Sequence, residues 1–373
     1  MRIVPYKESH RTRSFPGNSA VCSASQKKWR CRRQEITLFA KGRALVRIAL
    51  IAVLMTALSS TPAHGAASCT VVRVPAGDHT VSGTLCAPAS YSGGVKRVDV
   101  LVHGATYNSA YWDWPVNPGA HSYVRRTTAA GRATLAYDRP GAGESTRPPS
   151  TALTVPADAD VLHQVVGWLR GRGFAEVTLI GHSLGSLIAI KETADHGDAD
   201  RLVVTGLVHP PALGLGAPIA FATLYPAPLD PQFAGRISDL GHLTTRPGTR
   251  GASFYHAPTA DPEVIAYDEA HKDVVSSVEL ADALSRLALP PLVNDARGVR
   301  RPVLVVLGEQ DAIFCGPVVD CSDSAAVRAS ERQYFASAPG LAAVVMPETG
   351  HNLPQHESGG LSFARIDQWI RTH

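Results

Sequence analysis

The run Val177-Thr178-Leu179-Ile180 leads without a break into Gly181-His182-Ser183-Leu184-Gly185, and a helical pattern follows over residues 184–196. This is G-x-S-x-G set between a strand and a helix, a combination that few folds can accommodate. The serine must sit on a sharp strand-to-helix turn with little room for neighbouring side chains. Glycines stand at both flanking positions. The helix N-terminus behind the serine favours negative charge that develops in front of it. Ser183 is therefore the candidate nucleophile.

Strands and helices alternate around that turn. Residues 71–74 and 80–85 read as an opening antiparallel pair. Apolar β-branched runs at 98–102, 133–137, 177–180, 202–208, 303–307 and 342–346 then read as buried strands of a sheet covered on both faces. Amphipathic helices are predicted over 157–170, where Val161, Val165 and Trp168 share a face, and over 362–371, where Phe363, Ile366 and Ile370 can dock. The pattern is the βαβ alternation of a mostly parallel sheet. One segment breaks it: residues 210–291 are rich in Pro, Gly and aromatics and longer than any ordinary loop, so an inserted cap is expected there.

Two carboxylate and imidazole candidates follow strand ends, Asp311 after the strand ending at Leu307 and His351 after the one ending at Met346. Such ends converge at one edge of an open parallel sheet, where ligands bind. A serine hydroxyl is a poor nucleophile at its free pKa, so it needs a base in hydrogen-bond reach and a buried acid behind that base.

With Gly181 to Gly185, three further stretches complete a resemblance: His103-Gly104-Ala105-Thr106, Tyr137-Asp138-Arg139-Pro140-Gly141-Ala142-Gly143-Glu144-Ser145, and Gly308-Glu309-Gln310-Asp311 with Gly350-His351-Asn352. Over residues 69–373 the chain resembles the α/β-hydrolase superfamily. That resemblance implies an α/β fold with a mostly parallel eight-stranded sheet flanked by helices. It also implies a Ser183, Asp311, His351 triad, with the backbone N–H groups of Ala105 and Leu184 as an oxyanion hole. The acid is placed at the last position of the 308–311 turn, so Asp311 is preferred to the other strand-end carboxylates, Glu309 and Asp138.

The same resemblance makes 138–145 a bracing turn, with Asp138 and Arg139 in structural pairing; its glycine spacing does not match a phosphate-binding loop. His103, His182 and His209 are read as structural. Tyr107, Trp112 and Trp114, with Tyr111, are either packing or the wall of an apolar pocket.

Arg43 and Arg47 precede the apolar run at 48–58, and small residues follow around 63–67, which is a secretory signal pattern. The run is too short for a stable membrane anchor. Residues 1–67, the expected leader, hold 12 Lys or Arg against 2 Asp or Glu. The remaining 24 basic and 30 acidic side chains give residues 68–373 a net charge of −6, so the basic balance of the whole chain does not point to nucleic acid. Residues 1–40 read as a disordered extension or an upstream-start artefact. Cys69, Cys86, Cys315 and Cys321 form two close pairs, as expected of disulfides in an exported protein, and their spacing is not that of a metal site.

The expectation is a secreted enzyme that cleaves a carboxylic ester of a small-molecule substrate through an acyl-enzyme. No metal or organic cofactor is implied. Lactone, thioester, amide or carbon–carbon hydrolysis would use the same residues, and a ligand-binding protein without turnover would keep the same fold. A dehalogenase or epoxide hydrolase is disfavoured, because that resemblance would put Asp where Ser183 stands.

Overall fold

In a computed structural model the described residues are 21–25, 28–32, 67–91, 94–209, 221–316 and 319–373. The chain separates into two compact units, Met1–Ala63 and His64–His373. Within the first, strands β1 (Val21–Ser25) and β2 (Lys28–Arg32) pair as an antiparallel hairpin. That hairpin occupies part of the stretch expected to be disordered. The apolar run at 48–58 and the residues at 63–66 lie outside the described residues.

The second unit is organised by one sheet. Its strands are β3 (Ser68–Ala76), β4 (His79–Ala87), β5 (Arg97–Val102), β6 (Ala133–Tyr137), β7 (Glu176–His182) and β8 (Arg201–Thr205), then β12 (Val303–Gly308) and β13 (Leu341–Met346). They lie in the order β13-β12-β8-β7-β5-β6-β4-β3; β3 pairs with β4 and β4 with β6 antiparallel, and the six strands β6, β5, β7, β8, β12 and β13 pair in parallel. All eight coincide with the expected runs. β8 is shorter than expected, ending at Thr205 because Gly206 turns the chain at φ +59°.

Alternate residues of each central strand serve opposite faces. Val98, Val100 and Val102 of β5 and Val303 and Val305 of β12 join one apolar cluster, whereas Leu101, Leu304 and Val306 join another. Helices α1 (Pro118–His121) and α2 (Tyr123–Ala129) precede β6. Helix α3 (Val155–Arg170) is capped by the Thr154 hydroxyl, which accepts from the Ala157 N–H, and it buries Val161, Leu162, Val165, Val166 and Leu169 on the first face. Trp168 sits at the margin of that stripe, under the guanidinium of Arg172. Helix α4 (Leu184–Asp195) is buried on nearly every side from Leu184 to Ile190, as expected of a helix wedged against the sheet and α3.

Between β8 and β12 the described residues of the insertion form their own small structure. Strands β9 (Leu224–Pro226), β10 (His242–Thr245) and β11 (Val275–Ser276) make an antiparallel sheet, accompanied by helices α5 (Arg250–Phe254), α6 (Pro262–Ala270) and α7 (Ser277–Leu287). The Ser276 hydroxyl caps α7 by accepting from Val278 and Glu279 N–H groups. Helices α8 (Ser324–Glu331) and α9 (Gly359–Thr372) complete the fold, and α9 buries Phe363, Ile366, Trp369 and Ile370 on the second face. Both expected disulfides are formed, Cys69–Cys86 across the β3–β4 ladder and Cys315–Cys321 within the loop after β12.

Candidate active site

Ser183 lies between β7 and α4 at φ 53° and ψ −119°, in a region that side chains other than glycine rarely occupy. Its N–H is tied to the Thr205 carbonyl at 2.8 Å. The flanking glycines are required by close approach. A Cβ at Gly181 would fall 2.4 Å from Ser186 Cα, and one at Gly185 would fall 2.3 Å from the Val102 carbonyl oxygen. These neighbours are backbone and cannot swing aside. Gly185→Ala is therefore expected to prevent normal folding or to cost at least about 3 kcal/mol, read as loss of soluble protein or a large drop in melting temperature.

Asp311 and His351, which the sequence places 40 residues apart, meet at 2.8 Å between Asp311 Oδ2 and His351 Nδ1. Asp311 is completely buried and its Oδ1 accepts from the N–H groups of Ile313 and Phe314, so the carboxylate is locked by three donors. With Nδ1 donating to a carboxylate, the free lone pair of a neutral imidazole is on Nε2. The ring of His351 is flanked by Phe314 and Phe254. Glu309 does not join this pair; its carboxylate accepts from the Glu348 N–H. Gly206 is a requirement the sequence did not announce: a Cβ there would lie 2.7 Å from the His182 ring and 3.3 Å from the His351 ring.

The loop after β5 runs against the serine. A Cβ at Gly104 would touch Ser183 Cβ at 3.3 Å, and Gly104, Ala105, Ser183 and Leu184 line one cavity. The Leu184 N–H is the first of the amides that a helix N-terminus leaves without an intrahelical partner. His103 holds the loop from behind. Its Nε2 accepts from the Arg139 N–H at 3.0 Å, so Nδ1 carries the proton and donates to the Gly104 carbonyl at 2.9 Å. Burial, reinforced by the Arg139 charge, holds this imidazole well below its usual pKa.

Asp138 and Arg139 both brace the loops, but they are not paired with each other. Asp138 accepts from the N–H groups of Ser109 and Glu144, whereas Arg139 donates to the His103 carbonyl and pairs with Asp158 of α3 at 2.7 Å and with Glu279 of α7. The guanidinium reaches away from its neighbour because two other carboxylates, brought in by distant helices, surround it. Burial raises the Glu279 carboxyl, against the pull of Arg139 and with the help of Asp158. A carboxyl raised on folding contributes stability at low pH and loses it as the pH climbs toward its folded pKa. Glu279 is expected to contribute less to the melting temperature as the pH rises from about 5 to about 8, read as a shrinking difference between the parent and Glu279→Gln in a pH series of melting curves.

His182 and His209 are also buried. His182 stacks on Tyr111, and burial followed by the charge of nearby His351 holds it well below its usual pKa. His209 pairs with Glu331 of α8 at 3.0 Å, away from the cavity. Of the aromatic residues after the loop, Tyr107 lines the cavity. Trp112 and Trp114 do not: Trp112 is 1% exposed among Tyr111, Tyr123 and Phe363, and Trp114 is 2% exposed against Tyr267 of α6. Both indoles are consumed by packing between elements before they can reach a ligand.

The cavity is lined mostly by apolar side chains with a few polar groups converging at one end, the usual character of a small-molecule site. Beyond the loop and His351, its walls are Leu187, Leu207, Ile313 and Phe314 from the sheet side and Phe221, Leu224, Phe254, Leu280, Leu284 and Leu287 from the insertion. A buried polar network that sequence reasoning missed joins the two sides. Thr106, at φ 61°, receives Arg250 Nη1 at 3.0 Å on its hydroxyl and the Asp273 N–H at 2.9 Å on its carbonyl. Arg250 lies over the Tyr107 ring and 3.0 Å from Asp268, whose other oxygen accepts from Tyr107 and Tyr255 hydroxyls. Asn352, beside His351, donates to Tyr107 Oη. No residue in this cavity offers a metal-ligand cluster among the described residues; His163, Glu192 and Asp198, outside it, have that spacing.

Residues 100–365 match the family model described as Alpha/beta hydrolase family. A haloalkane dehalogenase of Mycobacterium marinum is 34% identical over 209 residues, covering 52% of this chain and 66% of that protein's length. An esterase from Exiguobacterium antarcticum superposes with a TM-score of 0.58 at 16% identity, covering 81% of this chain and all of the other. A thermophilic esterase from Thermogutta terrifontis gives 0.53 at 17% identity, covering 81% and 98%. These two likenesses show a shared fold, and the family model spans well over half of the residues. The chain belongs to the α/β-hydrolase family and is a hydrolase.

Proposed function

We propose that the chain cleaves carboxylic esters through an acyl-enzyme, with Ser183 as nucleophile, His351 as general base and Asp311 as the acid that orients it. The observation that carries this reading is the meeting, in one apolar cavity, of a serine in a strained turn and a histidine whose Nδ1 proton is held by a buried carboxylate. His351 Nε2 takes the hydroxyl proton as Ser183 Oγ attacks the ester carbonyl carbon. The carbonyl π pair moves to oxygen, and the Leu184 and Ala105 N–H groups stabilise that oxyanion. Collapse of the intermediate expels the alkoxide, which receives the proton from His351. Water then repeats the sequence on the acyl-enzyme, returning Ser183 and releasing the acid.

Likeness to a dehalogenase does not extend to its chemistry. Displacement of halide by a serine oxygen would leave an ether, which has no carbonyl for water to attack, so turnover would stop after one event. The aliphatic walls favour an apolar acyl or alcohol group. The insertion acts as the cap of the cavity. Two disulfides and the leader pattern support export.

A fluorophosphonate probe tests the chemistry: labelling at Ser183 is expected, and folded protein that is never labelled would mark a binding protein on this fold. A panel of p-nitrophenyl esters tests the cap. Leu284→Trp, which fills the cavity from α7, is expected to lower turnover of an octanoyl ester by more than about tenfold while leaving an acetyl ester within about threefold. Equal losses for both esters would show that α7 supports the fold instead.

A further inference from the structure

Three side chains that the proposed reaction does not use meet where α3, the end of α4 and the connection to β8 come together. His163 comes from α3, Glu192 from the last turn of α4, and Asp198 from the connection to β8; one candidate ligand atom of each lies within 4.8 Å of the others. His163 Nδ1 is 2.7 Å from Asp198 Oδ2. Glu192 is completely buried: its Oε2 receives the Thr193 hydroxyl at 3.3 Å, but its Oε1 meets no donor. Asp198 Oδ1 is likewise shut from solvent with no donor. Nearby cationic side chains are engaged elsewhere. Arg170 donates to the Asp198 carbonyl and the Asp200 carboxylate, and Arg301 to the Gly197 carbonyl.

Two carboxylate oxygens without a donor, side by side and out of water, are costly unless something positive or a proton lies between them. We propose that His163, Glu192 and Asp198 bind one divalent transition-metal ion of the zinc class. One imidazole nitrogen and two carboxylate oxygens are a borderline ligand set that suits such an ion, whereas calcium requires six or more oxygens. Tetrahedral bonds of about 2.0–2.1 Å put ligand atoms roughly 3.3 Å apart, so side-chain rotations of about 1–1.5 Å close the site. Coordination through Nδ1 places the imidazole proton on Nε2 and exchanges the His163–Asp198 hydrogen bond for two metal bonds.

His163 is held ready by the His196 ring stacked on it at 4.0 Å, itself anchored to Asp160. The side chain of His163 is 44% exposed, which leaves an entry path and a fourth position for water. None of the three residues lines the catalytic cavity. The ion would clamp α3 to the end of α4, the helix that begins just after Ser183, and so contribute stability rather than chemistry.

The test uses the full folded chain, freed of metal by chelator and titrated with Zn²⁺ by calorimetry and thermal melting. One ion per chain is expected, with a melting temperature raised by about 5 °C at a hundredfold excess over Kd, and with ester turnover unchanged. His163→Ala alters a half-exposed side chain and should melt like the metal-free parent while binding at least about a hundredfold more weakly. Asp198→Asn should behave alike. Equal Zn²⁺ affinity in His163→Ala, or no stoichiometric binding by the parent, would overturn the site and leave a proton shared by Glu192 and Asp198. Tighter binding of Ca²⁺ than Zn²⁺ would overturn the assignment of the ion.

Discussion

Ser183→Ala is expected to lower ester turnover by about 10⁶ while leaving a folded protein with an intact cavity. Removing the hydroxyl abolishes the acyl-enzyme route, and only the backbone donors and the apolar walls remain to favour attack by water. Those features alone retain roughly 10³ to 10⁴ over the uncatalysed reaction in comparable sites. Stability separates the role of the side chain from that of the turn. Alanine keeps a Cβ at φ 53°, so its melting temperature should match the parent. Glycine relieves backbone strain worth about 1–3 kcal/mol and gives back about 0.5–1 kcal/mol in chain entropy. Ser183→Gly should therefore be as inactive as the alanine variant yet more stable by about 1 kcal/mol. Turnover in Ser183→Ala above about 1% of the parent would remove the serine from the mechanism.

Asp311→Asn is expected to cut turnover by about 10⁴, close to 5 kcal/mol of transition-state stabilisation, without loss of folding. The Ile313 and Phe314 N–H groups require an acceptor at the Oδ1 position, so the amide oxygen would settle there. The NH₂ group would then face His351 Nδ1 and force that nitrogen to accept. Its proton would move to Nε2, and the base would lose the lone pair that Ser183 needs. Glu309→Gln should stay within about tenfold of the parent, because Glu309 meets the Glu348 N–H and not the imidazole. Asp138→Asn should lose roughly 1–3 kcal/mol of stability before it loses activity, since its two oxygens each serve a backbone N–H and the amide can serve only one. A collapse in Glu309→Gln alongside near-parent turnover in Asp311→Asn would show that the acid has been misassigned.

The eight strands, the helices at α3, α4 and α9, both disulfides and the glycines around Ser183 follow from local period, turn chemistry and close backbone approach. The proximity of Asp311 to His351 also follows from parallel topology, which brings the ends of β12 and β13 side by side. The partner of a long side chain is different in kind. Arg139 stands next to Asp138 in the chain but pairs with Glu279, 140 residues away, and Arg250 reaches Thr106 across 144. Trp112 and Trp114 carry the composition of a pocket wall yet are spent in packing, while Leu280, Leu284 and Leu287 of an ordinary amphipathic helix form that wall. The sequence by itself determined the fold, the strained serine turn and the order of the candidate triad, because those depend on neighbours along the backbone. Only the tertiary structure decided the walls of the cavity, the braces behind its loops and the meeting of His163, Glu192 and Asp198, because a side chain's partner is set by distance through space.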